Sequence, residues 1–202
     1  MDQGEDSMTG LCVNACTRCP ELVESRSQIV NGVGPNDAEL VIVGEAPGAD
    51  EDQYGEPFVG RSGEILTEKL AAVGIKRNRV RITNCVRCRP PDNRNPRASE
   101  RSHCSEWLER ELDEIDPALI LAVGKVPAEH LLGRQISVTA EAGSIERVKI
   151  GNDLRRIAIS VHPAAMLYNR SQESTLERTL TLVAKELGIT PPADDQKRLG
   201  DF

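Results

Sequence analysis

Aromatic residues are scarce: one Trp, two Tyr and two Phe make up 2% of a 202-residue chain. So few rings exclude an aromatic-rich platform for stacking single-stranded nucleic acid. They also leave the core to Val, Ile, Leu and Ala, within a hydrophobic content of 39%. No apolar run approaches the roughly 20 residues that span a bilayer. The opening MDQGEDSMTG is acidic and polar, unlike a secretory leader. Both features point to a cytoplasmic protein with no membrane partner. Its six cysteines are then not expected to be routine disulfides. Net positive charge is lacking as well: the formal charge is −7, which on average argues against a polyanion partner.

The average hides a split. Residues 76–110 hold ten Lys/Arg and four Asp/Glu, a net of +6, so the rest of the chain carries −13. An acidic body with one basic segment is the arrangement to explain.

The length fits one domain. The expected organisation is a loose tail at 1–10, a working domain at 11–188 and a second loose tail at 189–202. Apolar runs at 40–43, 80–84 and 119–123 read as buried strands, and the first and third end in Gly44 and Gly124. Residues 147–150 and 154–161 read as a hairpin about Gly151-Asn152-Asp153, whose second strand ends at His162-Pro163. Helical patterns are expected at 62–73 with Ser62 as N-cap, at 99–115 with Ser99 as N-cap, at 127–132 and at 175–187. The stretch 45–61 reads as a long functional loop. Strands alternating with helices predict a three-layer α/β/α domain with a largely parallel sheet. In such sheets ligands bind beyond the carboxyl ends of the strands, here Gly44, Asn84, Gly124 and His162.

Cys16 and Cys19 form a C-x2-C pair, and Cys88 and Cys104 lie far downstream. Four thiolates suit a tetrahedral zinc or an iron–sulfur cluster, and the spacing leaves both open. Cys12 and Cys85 are spare. The turn Gly44-Glu45-Ala46-Pro47-Gly48 follows a strand as a phosphate loop would. It lacks the Lys-Ser/Thr pair and is not G-x-G-x-x-G, so nucleotide binding is disfavoured. Asp50, Glu51 and Asp52 behind it would repel a phosphate and favour a neutral polar ligand.

The stretches GEAPGADED at 44–52, GEPFVGRSG at 55–63, ITNCVRCRPPDNRNP at 82–96 and SVHPAAML at 160–167 stand in an order and spacing that, with the cysteines, resemble the family 4 uracil-DNA glycosylases. This is the iron–sulfur branch of that superfamily, and the likeness covers roughly residues 12–187. The resemblance implies a 4Fe–4S cluster on Cys16, Cys19, Cys88 and Cys104, with a structural role. It implies action on uracil-containing DNA, in which the base is flipped, its N-glycosidic bond hydrolysed and an abasic site left; one domain with one site makes a monomer the expected state.

The same resemblance implies site roles. Phe58 stacks on the base, and Asn84 reads it through one acceptor and two donors. Glu51 crowds the C5 edge against thymine, and His162 donates to uracil O2. Gly44, Glu45 and Ala46 wall the pocket, with Glu45, or in its place Asp50, orienting the water or facing the sugar cation. Apart from the resemblance, Arg87, Arg89, Arg94 and Arg97 lie in the +6 segment and are expected to grip phosphates. Leu167, beside Met166 and Tyr168, and Arg170 are expected at the duplex. Two other readings compete: a related glycosylase for another deaminated base such as hypoxanthine, and a non-enzymatic cysteine–metal DNA-binding module.

Overall fold

The computed structural model describes residues 6–192. The expected tails fall partly outside that range, at 1–5 and 193–202. In chain order the elements are β1 (Ser7–Thr9), β2 (Cys12–Ala15), α1 (Pro20–Ser25), β3 (Leu40–Gly44), α2 (Ala49–Tyr54), α3 (Arg61–Ala72) and β4 (Arg81–Asn84). There follow α4 (Ala98–Ile115), β5 (Leu119–Val123), α5 (Lys125–Leu132), α6 (Val138–Glu141), β6 (Ile145–Ile150), β7 (Asp153–Ser160), α7 (Ala165–Tyr168) and α8 (Ser171–Glu186).

The main sheet has the order β4-β3-β5-β7-β6. Its first four strands are parallel, and β6 closes one edge antiparallel to β7. Side chains alternate across β3, so the two faces need two cores. Leu40 and Ile42 pack with Leu66 and Leu70 of α3 and Leu176 and Leu180 of α8. Val41 and Val43 pack with Leu108 and Leu112 of α4 and Ala128 and Leu131 of α5. The result is the expected three-layer α/β/α architecture. The register pairs Gly44 with Asn84, Val43 with Ala122 and Val123 with Ser160. That brings the carboxyl ends of the four parallel strands to one edge. From β3 the chain moves outward to β4 and then crosses back to β5, so the crevice of a reversed strand order lies at this edge.

Several local readings change. Residues 45–61 are not one long loop, because α2 forms inside them. Its acids Asp50, Glu51 and Asp52 occupy the first helical turn, where the helix dipole favours negative charge. Gly55, at φ 82°, ends it in the left-handed conformation. The helices expected to start at Ser62 and Ser99 are capped earlier, by Gly60 and Arg97. The last helix starts at Ser171, whose N–H and hydroxyl both bond Asn169 Oδ1. Ser7–Thr9, expected in a loose tail, pairs antiparallel with Cys12–Ala15. At the other end, Ile189 donates its N–H to Ala184 and packs on the core.

Candidate active site and cysteine cluster

A cavity of about 180 Å³ opens beyond the strand ends, lined by Glu45, Ala46, Gly48, Glu51, Phe58, Ser62, Asn84 and His162. Every residue expected at the base pocket is on its wall or directly behind it. Gly44 is buried behind the Asn84 amide and the Phe58 ring, so close that an added Cβ would press on both, 2.6 Å from Phe58 Cε2. Gly48 and Ser62 are wall residues that sequence reasoning missed. The approach of α2 and the start of α3 to the same crevice is what places them.

Asn84 is 4% exposed, and its amide makes no hydrogen bond among the described residues, so its acceptor and donors face the cavity unclaimed. Phe58 and His162 stack, with ring centroids 5.9 Å apart and planes at 28°. The Ala164 N–H donates to His162 Nδ1 at 3.2 Å, which leaves the hydrogen of the neutral ring on Nε2. Burial lowers the His162 pKa, against a smaller opposing pull from Glu51, so the ring is neutral near pH 7. Burial raises the Glu45 carboxyl above the ordinary carboxylate range, with the Arg101 charge pulling it down.

Phe58 sits at φ 54°, a left-handed setting that costs a non-glycine residue about 1–3 kcal/mol. Glu51 helps to hold it there. Its Oε2 accepts the Gly48 N–H at 3.0 Å, and its Oε1 accepts those of Val59 at 3.2 Å and Gly60 at 3.0 Å. The Glu51 carboxylate is therefore a brace between the start of α2 and the turn after Phe58, not a free loop acid.

Four of the six thiols gather at one place. Cys19, Cys88 and Cys104 meet at a small apolar patch with Leu22 and Val86. Cys16 is near enough that its charge disfavours ionisation of all three. None of the six is in a disulfide. Burial pushes Cys19 to about 11 and Cys104 to about 12, and raises Cys88 against the pull of Arg26. Such buried soft donors become thiolates only if a cation compensates them. Arg26 donates to Cys88 Sγ at 2.9 Å and to the Cys16 carbonyl at 2.8 Å, and His103 Nδ1 lies 3.5 Å from Cys19 Sγ. Among the described residues, no three His, Cys, Asp or Glu side chains converge as ligands of a single ion. Of the two remaining thiols, Cys12 is exposed and Cys85 is fully buried in the core.

The arginines divide. Arg87 is not a phosphate contact. It is 1% exposed, and its Nη2 donates to Glu111 at 2.7 Å while Arg81 donates to the other oxygen of that carboxylate at 2.7 Å. A buried carboxylate requires such partners. Arg94 pairs with Glu100 at 2.7 Å and with Glu21 at 3.2 Å. Arg97 also pairs with Glu21 but keeps 58% of its side chain exposed. Arg89 bonds Asn93 at 2.8 Å. After His162 in the chain, α7 leaves Leu167 48% and Tyr168 90% exposed, and Arg170 just beyond it is exposed as well.

A family model of the uracil DNA glycosylase superfamily matches residues 31–184. The chain is 37% identical to a type-4 uracil-DNA glycosylase of Archaeoglobus fulgidus, over 89% of this chain and 92% of that protein. It is also 37% identical to those of Sulfurisphaera tokodaii, over 89% of this chain and 83% of that protein, and of Thermotoga maritima, over 86% and 92%. With the cavity built as it is, these likenesses establish that the chain belongs to the uracil-DNA glycosylase superfamily, in its type-4 branch.

Proposed function

We propose that this chain excises uracil from DNA, hydrolysing the N-glycosidic bond and leaving an abasic site for base excision repair. The observation that carries the reading is the convergence of Glu45, Phe58, Asn84 and His162, from four separate segments, on one cavity. A stacked base cannot enter it, so the nucleotide is flipped out, at a cost of a few kcal/mol.

Inside, the Phe58 ring covers the face of the base. The Asn84 carbonyl accepts uracil N3–H, and its NH2 group donates to O4. Cytosine presents the reverse pattern at that edge and leaves both groups unpaired. As the C1′–N1 bond breaks, its electron pair passes into the uracil ring. Neutral His162 meets the charge developing on O2 with its Nε2–H. Glu45, as a carboxylate, faces the cationic sugar and orients the water whose oxygen bonds C1′. The water's proton leaves through Glu45 to solvent, and the uracil anion is protonated on release. Glu51, fixed by its three N–H donors, forms the wall that meets the 5-methyl group of thymine.

Residues 11–188 act in this reading as one domain and one cytoplasmic monomer. Arg89, Arg97 and Arg170 reach phosphates, Arg94 orders their loop, and Leu167 on α7 enters the gap left by the flipped base. Cys16, Cys19, Cys88 and Cys104 hold a 4Fe–4S cluster, supported by their soft donor set. The cluster supplies iron–thiolate cross-links that tie the N-terminal segment to the 85–97 loop and α4. The test is incubation with oligonucleotides bearing uracil, thymine or hypoxanthine, followed by alkali, beside iron and sulfide analysis of the purified protein. Strand breakage at uracil and a brown protein are expected. No breakage at uracil overturns the activity, and zinc in place of iron overturns the cluster.

A further inference from the structure

We infer that Arg77, which does not line the cavity, is a positioning residue that holds Phe58 at the setting from which its ring receives the base. This rests on the stacking role proposed above. The ring that lines the cavity belongs to a residue at φ 54°, a conformation a phenylalanine does not adopt unless its surroundings impose it. Two side chains bind the backbone around it. Glu51 takes the N–H groups that follow Phe58, at Val59 and Gly60. Arg77 Nη2 donates to the carbonyls of Pro57 at 2.9 Å and of Phe58 itself at 3.0 Å.

The guanidinium is in turn fixed. Its Nη1 donates to Thr67 Oγ1 at 3.1 Å, and that hydroxyl donates to the Gly63 carbonyl at 2.7 Å. Gly63 has no room for a side chain, because a Cβ there would overlap the Phe58 carbonyl. An anion on the donors and a cation on the acceptors thus clamp one strained peptide, and both act on the residue whose ring meets His162. Only a planar fork spans two carbonyls and a hydroxyl in this way; a lysine ammonium, a point charge on a flexible stem, does not. Without the fork the turn relaxes and the ring leaves its preset orientation. Arg77 therefore acts on the chemistry through Phe58.

A double-mutant cycle on single-turnover uracil release tests this. Arg77→Met is expected to slow release about tenfold, and Arg77→Lys by less, while in a Phe58→Ala background Arg77→Met changes the rate by under about twofold. A full Arg77→Met effect on top of Phe58→Ala, or no effect in the otherwise wild-type protein, overturns the inference. A second readout does not depend on activity. The chain has two phenylalanines, Phe58 and Phe202, so 4-fluorophenylalanine labelling gives two 19F resonances. Arg77→Lys, the milder variant should Arg77→Met not fold, is expected to shift or broaden the Phe58 line. An unchanged line overturns the clamp. If Phe58→Ala leaves uracil release unaltered, the stacking reading fails, and the 19F line still decides whether Arg77 orders the ring.

Discussion

At Gly44 a single methyl group separates an open pocket from a filled one. The Cβ of Gly44→Ala would push on the Asn84 amide and the Phe58 ring, while the backbone there is ordinary strand. Excision is expected to fall by about 100-fold, the scale of a 1 Å misplacement at a reacting centre. The thermal midpoint should move little by comparison, and the two assays together check the point. Glu45 gives a prediction of opposite sign for rate and stability. Its carboxyl is raised by burial, with Arg101 opposing, so the ionised form is lost as pH falls through a value above the ordinary carboxylate range. The wild-type rate should fall with it, and Glu45→Gln should be slow and flat across that window. A raised folded-state pKa favours the fold at low pH and is a penalty above it. Glu45→Gln should therefore raise the melting midpoint at pH 7, by an amount that fades toward pH 4 (paired pH–rate and pH–melting curves read both). Glu45, Phe58, Asn84 and His162 were legible in the sequence through the family resemblance of the stretches that carry them, whereas Gly48 and Ser62 were not, because only the approach of α2 and α3 brings them to the wall. The bracing role of Glu51 was not, because its partners are backbone N–H groups presented only when Phe58 adopts positive φ.

Between elements, the decisive contact is Glu111 of α4, fully buried and shared by Arg81 of β4 and Arg87 just beyond it. Removing one member of a buried ionic set leaves uncompensated charge and costs about 3–5 kcal/mol. Glu111→Ala strands two cations and is expected to lose stability on that scale in urea unfolding, with Glu111→Gln losing less. A loss below about 1 kcal/mol, as for an exposed pair, would contradict the account. This set explains why the reading of Arg87 as a phosphate contact failed. A Pro-, Asn- and Arg-rich loop looks solvated in sequence, and its acidic partner lies 24 residues away on a helix face. Glu21 holds Arg94 and Arg97 by the same kind of long-range pairing. The existence of α2 was hidden for a different reason: its stabilisation comes from helix-dipole and capping terms on acids that, read locally, resemble a loop.

For the molecule as a whole, the +6 segment is less available to DNA than its count implies. Arg81 and Arg87 are buried in the fold, where they share the Glu111 carboxylate, and Arg94 is paired with Glu100 at its surface. Few exposed cations on a −13 remainder should release few counterions. The logarithmic dependence of DNA affinity on salt is therefore expected to have a slope no steeper than about −3, at about −0.9 per phosphate contacted. A steeper slope in a salt titration by fluorescence anisotropy would show a broader basic footprint. Fold class was legible because strand–helix alternation and strand-end glycines are local signals, whereas the charge balance at the surface depends on which pairs the fold closes. Single-turnover release of uracil from an oligonucleotide by wild-type protein, Asn84→Ala and His162→Ala tests the reading of the cavity as the site of excision. Release by the wild type is expected, with a loss of about 100-fold or more when the His162 donor is removed. A comparable loss is predicted for Asn84→Ala, with both variants keeping the wild-type melting midpoint. Absence of release by the wild type, or release by both variants at the wild-type rate, would contradict it.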